Sequence, residues 1–104
     1  MVRRKETRTL IWSDYAKVDI AAISDYYNSR NGNSDYSDRL WLEFQRRMIY
    51  VVNNPYSGAK WKKKGFRVVN VDPFQLFYYV TKMEIIVAKV WDARRDPKTL
   101  ELTR

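Results

Sequence analysis

The sequence predicts an α+β domain, in which an N-terminal strand and a helical hairpin pack on one face of an antiparallel sheet in the order β-α-α-β-β-β. Three observations support this. The chain has 104 residues, which suits one domain spanning 1–104. Apolar residues recur at helical spacing in two segments of the first half. After Gly65 the apolar period changes to two, as expected for strands.

The first half of the chain indicates a short strand and two helices. A β-favouring run covers residues 9–12, and Ser13 then provides a helix start. The first helix should end near Ser29, before turn-forming residues, and Ser34 is a candidate N-cap for the second. Asn54-Pro55 ends the second helix, since proline disfavours helical geometry in the preceding residue. The apolar stripes are Ala16, Ile20, Ile23 and Tyr27 on the first helix, and Leu40, Phe44, Met48 and Val51 on the second.

The second half indicates a loop followed by three strands. The loop covers residues 55–65, and the strands are predicted at 66–71, 74–80 and 84–91. Their short connections favour an antiparallel meander, and the strand at 9–12 should run beside one of its members. Residues 1–8 are predicted to be a flexible lead-in, and residues 92–104, the C-terminal tail, are predicted to be polar and basic.

The composition excludes several classes of chemistry. The chain contains no cysteine and no histidine, so disulfides, thiolate metal sites and histidine-based catalysis are impossible. The aspartates at positions 14, 19, 25, 35 and 38 are interpreted as helix caps or solvated faces, so neither a metal site nor a cofactor is predicted. No signal peptide or membrane-spanning run is visible, which favours a cytoplasmic protein with no membrane partner.

The charge distribution indicates an anionic partner. The net charge is +8, and residues 55–104 contribute +6 of it, with 11 basic and 5 acidic side chains. A small basic chain of this kind suits nucleic acid, an acidic protein segment or a membrane surface.

Five features, taken in order, carry a resemblance to a known family. They are Ala16-x-x-Asp19-Ile20-x-x-Ile23-x-x-Tyr26, Asn54-Pro55 followed by Gly58, Arg67 at the start of a strand, Phe77-Tyr78-Tyr79, and Val90-Trp91-Asp92-Ala93-Arg94-Arg95-Asp96-Pro97. Together they resemble the ParE/RelE superfamily of toxins from bacterial type II toxin–antitoxin systems, over residues 9–97. The resemblance implies a helical hairpin on a curved antiparallel sheet, and a cognate antitoxin that forms a hetero-oligomer with the toxin.

The superfamily has two main activities, and the resemblance favours one of them. ParE-like members inhibit DNA gyrase, whereas RelE-like members cut mRNA on the ribosome with sheet cations and a C-terminal tyrosine. Here the first sheet cation maps onto Arg67, but the next falls on Val69, the second-strand arginine on Gln75, and the tyrosine near Leu100. The RelE-type catalytic set is therefore largely missing, which favours a ParE-like, non-enzymatic role. A non-toxic basic binding module is the third hypothesis.

Eight residues are candidates for contact with the target or with nucleic acid: Lys60, Trp61, Lys62, Lys63, Lys64, Arg67, Arg94 and Arg95. Trp61 could stack on a base within the basic run, or the run could be a solvated loop that keeps the protein soluble. Arg67 and Arg94 are also the candidates for a catalytic role. Arg67 could present a cation on the open sheet face, or pair with an acid such as Asp92 across the sheet. For Arg94 and Arg95, an Arg-Asp pair that orients the tail is expected for one, with the other left open.

Overall fold

The computed structural model describes residues 7–104, which form five strands and two α-helices. The predicted lead-in at 1–8 lies mostly outside these residues, although Arg8 is included and donates from Nε to the carbonyl of Thr81 at 2.7 Å. The elements are β1 (Thr9–Trp12), α1 (Asp14–Asn31), α2 (Asp35–Asn53), β2 (Ala59–Lys60), β3 (Arg67–Val71), β4 (Phe74–Val80) and β5 (Glu84–Asp92), followed by a 3-10 turn (Pro97–Thr99).

The strands form one sheet in the order β1-β5-β4-β3-β2, which confirms the predicted α+β fold. β3, β4 and β5 form the expected antiparallel meander. Two features differ from the prediction. β1 pairs with β5 in parallel, because the helical hairpin carries the chain back to the end of the sheet where β1 began. The two-residue strand β2 pairs with β3 inside the segment predicted to be a loop.

The helix boundaries follow local capping. The Ser13 hydroxyl accepts from the N–H of Ala16 at 3.1 Å, as the sequence predicts. α1 continues two residues past Ser29 and ends at Gly32, whose φ of 75° is left-handed. At α2, Ser34 is the N-cap residue, as the sequence predicts, but its side chain makes no capping hydrogen bond. Asn33 accepts from the N–H of Asp35 through Oδ1 at 3.1 Å, while Ser34 bonds Asp38.

The sheet separates two apolar layers. On the helix side, the predicted α2 stripe of Leu40, Phe44, Met48 and Val51 is buried against the sheet, together with Val69, Phe74, Leu76, Tyr78, Ile85, Val87 and Val90. The opposite side, called here the second face, has its own cluster of Phe66, Val68, Phe77, Ala88, Trp91 and Leu102. Leu102 belongs to the C-terminal tail, so the tail packs across the second face.

An irregularity in β5 changes which of its residues face each layer. Phe77 lies opposite Lys89 and Tyr78 lies opposite Val87, so Ala88 has no partner in β4. The extra residue shifts the alternation of side chains. Val87 and Val90 therefore face the helices, while Ala88 faces the second cluster.

Candidate functional site

The loop after α2 is fixed by a buried tyrosine of β4. The Tyr78 hydroxyl donates to the carbonyl of Pro55 at 3.0 Å and accepts from the N–H of Gly58 at 2.9 Å. Burial raises the pKa of Tyr78, so its hydroxyl stays protonated at neutral pH and remains a donor. A Cβ on Gly58 would lie 2.6 Å from the Tyr78 hydroxyl oxygen, which explains why glycine stands there.

The side chain of Arg67 binds backbone carbonyls of the same loop. Its Nη1 donates to the carbonyls of Tyr56 at 3.1 Å and Gly58 at 2.9 Å, and its guanidinium lies 5.2 Å from the centre of the Tyr56 ring. The predicted alternative of a pair with Asp92 is therefore wrong. The other alternative, a cation on the open sheet face, also differs from the structure. Arg67 shares a strand face with Val69, which is buried on the helix side, so its side chain leaves the sheet on that side and contacts the loop after α2.

These contacts form one wall of a cleft at the β2–β3 edge of the sheet, called here the basic cleft. Its volume is about 510 Å³. It is lined by Tyr56, Lys60, Trp61, Lys62, Lys64, Gly65, Phe66, Arg67, Val80 and Arg104. Five of these residues are cationic and none is acidic. The structure thus brings together five of the eight sequence candidates and adds Tyr56 and Arg104.

Lys63 is turned away from the basic cleft. Its ammonium group donates to the carbonyl of Leu102 and lies 5.7 Å from the centre of the Phe66 ring. This contact ties the basic run to the C-terminal tail. Lys63 therefore has a structural role that its place in a run of lysines does not reveal.

The three aromatic residues of the cleft differ in exposure, and Phe66 is buried. Trp61 is half-buried, with its ring edge-to-face against Phe77 at 4.9 Å, so it forms a wall of the cleft. Tyr56 is 61% exposed, which makes it the most exposed aromatic side chain of the cleft. Sequence reasoning missed Tyr56, because nothing in the pattern of an isolated loop tyrosine indicates that a guanidinium lies against it.

Arg94 and Arg95 lie at the other end of the sheet. Asp92 pairs with Phe74 and Arg67 with Tyr78, four residues apart along β4, or about 13 Å at the rise of a strand. The structure therefore does not place Arg94 or Arg95 in the basic cleft.

The arginines at that end have separate structural contacts. Arg94 makes a bidentate pair with Asp92, from Nε to Oδ1 at 2.9 Å and from Nη2 to Oδ2 at 2.7 Å. These hydrogen bonds lower the pKa of Asp92 and raise the pKa of Arg94. Arg95 instead lies over the Trp91 ring at 4.6 Å. The pairing of one arginine with an aspartate agrees with the structural role expected for it.

Residues 7–104 hold neither an acidic metal site nor a membrane-spanning helix. There is no grouping there of three or more acidic side chains that could hold a metal ion. Neither α-helix of this part of the chain is both long and apolar enough to cross a membrane.

Comparison with solved structures shows which class of protein has this fold. A chain described as "Chromosomal ParDE TA system from P. aeruginosa" superposes with a TM-score of 0.70 and 22% identity, over 81% of this chain and 94% of that one. A chain of the E. coli DinJ-YafQ toxin–antitoxin complex gives a TM-score of 0.54 and 12% identity, over 84% and 93%. The fold is thus that of chains from toxin–antitoxin systems.

The family follows from the sequence itself. Residues 10–97 match the model of the family described as ParE toxin of type II toxin-antitoxin system, parDE. The match spans most of the chain, so the protein belongs to the ParE toxin family, and the predicted ParE/RelE resemblance is confirmed. Comparison with curated proteins gives no match.

Proposed function

We propose that this protein is the growth-inhibiting member of a type II toxin–antitoxin pair and that it acts in the cytoplasm by inhibiting DNA gyrase. Membership of the ParE family supports the toxin role. The choice of gyrase over mRNA depends chiefly on one observation, the placement of Val69. This residue stands where RelE-like toxins are expected to carry a second sheet cation, and it is 3% exposed in the helix-side core.

The other positions of the RelE-type set support the same choice. Gln75 replaces the second-strand arginine, and Leu100 packs against the second cluster where a tyrosine would be expected. Transfer of protons to and from the reacting oxygens typically contributes 10²- to 10⁴-fold to such cleavage. A toxin that acts by binding a topoisomerase does not require these groups.

The proposed partner is an antitoxin with an acidic or amphipathic segment. Tyr15, Val18 and Tyr26 lie on one side of α1 and are 59%, 68% and 57% exposed. Aromatic and aliphatic side chains of this kind are common anchors of protein interfaces. The net charge of +8 would speed the encounter with an acidic partner.

The test is pulse-labelling of DNA and protein synthesis in bacteria immediately after the chain is induced without an antitoxin. Gyrase inhibition predicts that DNA synthesis falls first, together with a DNA-damage response. The purified chain should then inhibit supercoiling of a relaxed plasmid by gyrase. A neighbouring reading frame that encodes an acidic partner and restores growth would support the toxin–antitoxin pairing.

Two results would favour the alternatives. Early loss of translation with cut mRNA would indicate a ribosome-dependent endonuclease, despite the missing groups. Normal growth on induction, with the folded protein present, would indicate a basic binding module that has no toxic activity of its own.

A further inference from the structure

We infer that the basic cleft is a binding site for single-stranded nucleic acid, with backbone phosphates on its lysines and a base stacked on Tyr56. This site is at the β2–β3 edge of the sheet, and the inference does not depend on gyrase inhibition. Four properties of the cleft support it: its charge, the orientation of Arg67, the exposure of Tyr56 and its size.

The charge of the cleft is not compensated within the protein. Over residues 7–104 the structure shows two ion pairs, Lys89–Asp19 and Arg94–Asp92, and neither includes a residue of the cleft. Lys60, Lys62 and Lys64 are all exposed. Several cations around one cavity, with no acidic side chain in the lining, create a strongly positive local potential. A chain of phosphates is the ligand that such a site favours, because binding releases its condensed counterions.

Arg67 is held in place before any ligand arrives. Two backbone carbonyls accept from Nη1, which leaves the Nε and Nη2 hydrogens of the guanidinium without a partner in the described part of the chain. A guanidinium presents a planar set of donors that matches a phosphate, and here its orientation is already fixed. Binding therefore costs little side-chain entropy at this position.

Tyr56 offers a stacking surface. The guanidinium of Arg67 lies against its ring at 5.2 Å, and the side chain is 61% exposed, so much of the ring remains open to solvent. Base stacking on an aromatic ring tolerates any base and accompanies backbone contacts in proteins that bind single strands. Tyr56 and the lysines line one cavity, so a nucleotide could contact both.

The size of the cleft suits a single strand. Its volume of about 510 Å³ lies within the roughly 300–1,000 Å³ of sites that enclose small ligands. One or two nucleotides fit such a space, and an unpaired base can enter it, whereas the bases of a duplex are stacked on each other.

The first experiment measures binding of fluorescein-labelled oligonucleotides to the purified full-length chain by anisotropy, between 50 and 200 mM salt. The probes are a 12-residue oligo-dT, a 12-residue oligo-rU and a DNA duplex of equal length. The variant Lys62→Ala/Lys64→Ala should bind the single strands on the order of tenfold more weakly. The slope of log affinity against log salt should fall by about 0.7 for each lost phosphate contact.

The matched control is Lys82→Ala/Lys98→Ala, which removes two exposed lysines outside the basic cleft. It should keep nearly all of the affinity. Equal losses in the two double variants would overturn the inference, since binding would then depend on overall charge. Absence of binding to either single strand at 50 mM salt, or tighter binding of the duplex, would also overturn it.

A second pair of variants isolates stacking. Tyr56→Ala should weaken binding by about 5- to 150-fold, while Tyr56→Phe, which keeps the ring, should bind like the original chain. Tyr15→Ala is the control, because Tyr15 is equally exposed but lies on α1. Circular dichroism confirms that each variant is folded. Unchanged affinity of Tyr56→Ala would contradict the stacking part of the inference.

The comparison of oligo-dT with oligo-rU identifies the source of the strand. Preference for oligo-dT would indicate that the cleft binds DNA. Preference for oligo-rU would indicate that it binds RNA and contacts the 2′-hydroxyl. Either preference supports the site. Binding that persists when the chain fails to inhibit gyrase would uphold this inference while rejecting the proposed function, so the two failures can be distinguished.

Discussion

The carboxylate of Asp19 and the backbone N–H of Val90, 71 residues apart in sequence, form a 3.0 Å hydrogen bond between α1 and β5. β1 ends at Trp12, opposite Val87, so beyond that point β5 has no neighbouring strand on this side. Asp19 supplies the missing acceptor and also pairs with the ammonium group of Lys89 at 3.0 Å. The prediction that Asp19 belongs to a solvated face or cap is therefore wrong.

Asp19→Ala should lower the free energy of unfolding by about 2–3 kcal/mol, because the Val90 N–H and the Lys89 ammonium both lose their partner. Urea denaturation followed by circular dichroism measures this change. The control Asp25→Ala, an exposed carboxylate on the same helix, should stay within about 0.5 kcal/mol. Equal stability of the two variants would show that the Asp19 contacts contribute nothing.

Gly58→Ala should destabilise the protein by about 1–3 kcal/mol, because the added methyl group meets the buried Tyr78 side chain at 2.6 Å. Tyr78→Phe removes the hydroxyl and its two hydrogen bonds, so the costs of the two changes should not add. A double-mutant cycle by chemical denaturation measures this coupling. Strictly additive costs would contradict the contact between Gly58 and Tyr78.

The main elements could be predicted because their signals are repeated along the chain. Four apolar residues at helical spacing defined the buried face of α2, and the change to a period of two defined the meander. The partner of β1 could not be chosen, since four residues of strand carry no information on which neighbour they join. The unpaired Ala88 in β5 also escaped prediction, because it depends on pairing with β4.

The C-terminal tail contains a local apolar pattern within a polar segment. Leu100 and Leu102 alternate with a charged residue, as in a strand with one buried side, although the surrounding segment is polar. In the structure both leucines pack on the second face, with Leu102 only 7% exposed. The average polarity of the tail concealed this local pattern.

Leu102→Ala should cost about 2–3 kcal/mol of stability, because it opens a cavity under the tail on the second face. Thermal and chemical unfolding both report this loss. Leu42→Ala is a suitable control, since Leu42 is 50% exposed on α2 and its removal should change stability by less than about 0.5 kcal/mol. If Leu102→Ala were as stable as this control, the tail would not be part of the folded core.

The pair of Asp92 with Arg94 should make stability fall in acid. Hydrogen bonds from Arg94 hold the pKa of Asp92 below its ordinary value of 3.8. The stability that this pair provides is fully present above the pKa of Asp92 in the unfolded chain. It is lost as the pH falls through the lower pKa of Asp92 in the folded protein. Denaturation between pH 2 and 5 should show uptake of up to one extra proton on unfolding.

The variant Asp92→Asn checks the assignment of this acid dependence. It should remove that part of the proton uptake, while Asp25→Asn should keep the original pH dependence. An unchanged curve for Asp92→Asn would mean that other carboxylates are responsible.

The candidate site could be predicted only in part, for a physical reason. Clustering of lysines in sequence indicated Lys60, Lys62 and Lys64, because neighbours in a short loop stay neighbours in space. The partners of Arg67 are backbone carbonyls, which no side-chain pattern encodes. Arg94 and Arg95 carry the same charge as the cleft residues but stand at the far end of the strands, so charge alone could not separate them.

The parallel pairing of β1 with β5 also determines when the fold can close. Thr9 lies opposite Glu84, so 75 further residues must be synthesised after Thr9 before β1 can begin to pair with β5. At about 5–20 residues per second, synthesis of that length takes roughly 4 to 15 seconds. A nascent chain that ends before residue 84 holds both helices but lacks the strand that joins β1 to the meander. The sheet therefore cannot close before β5 has been made.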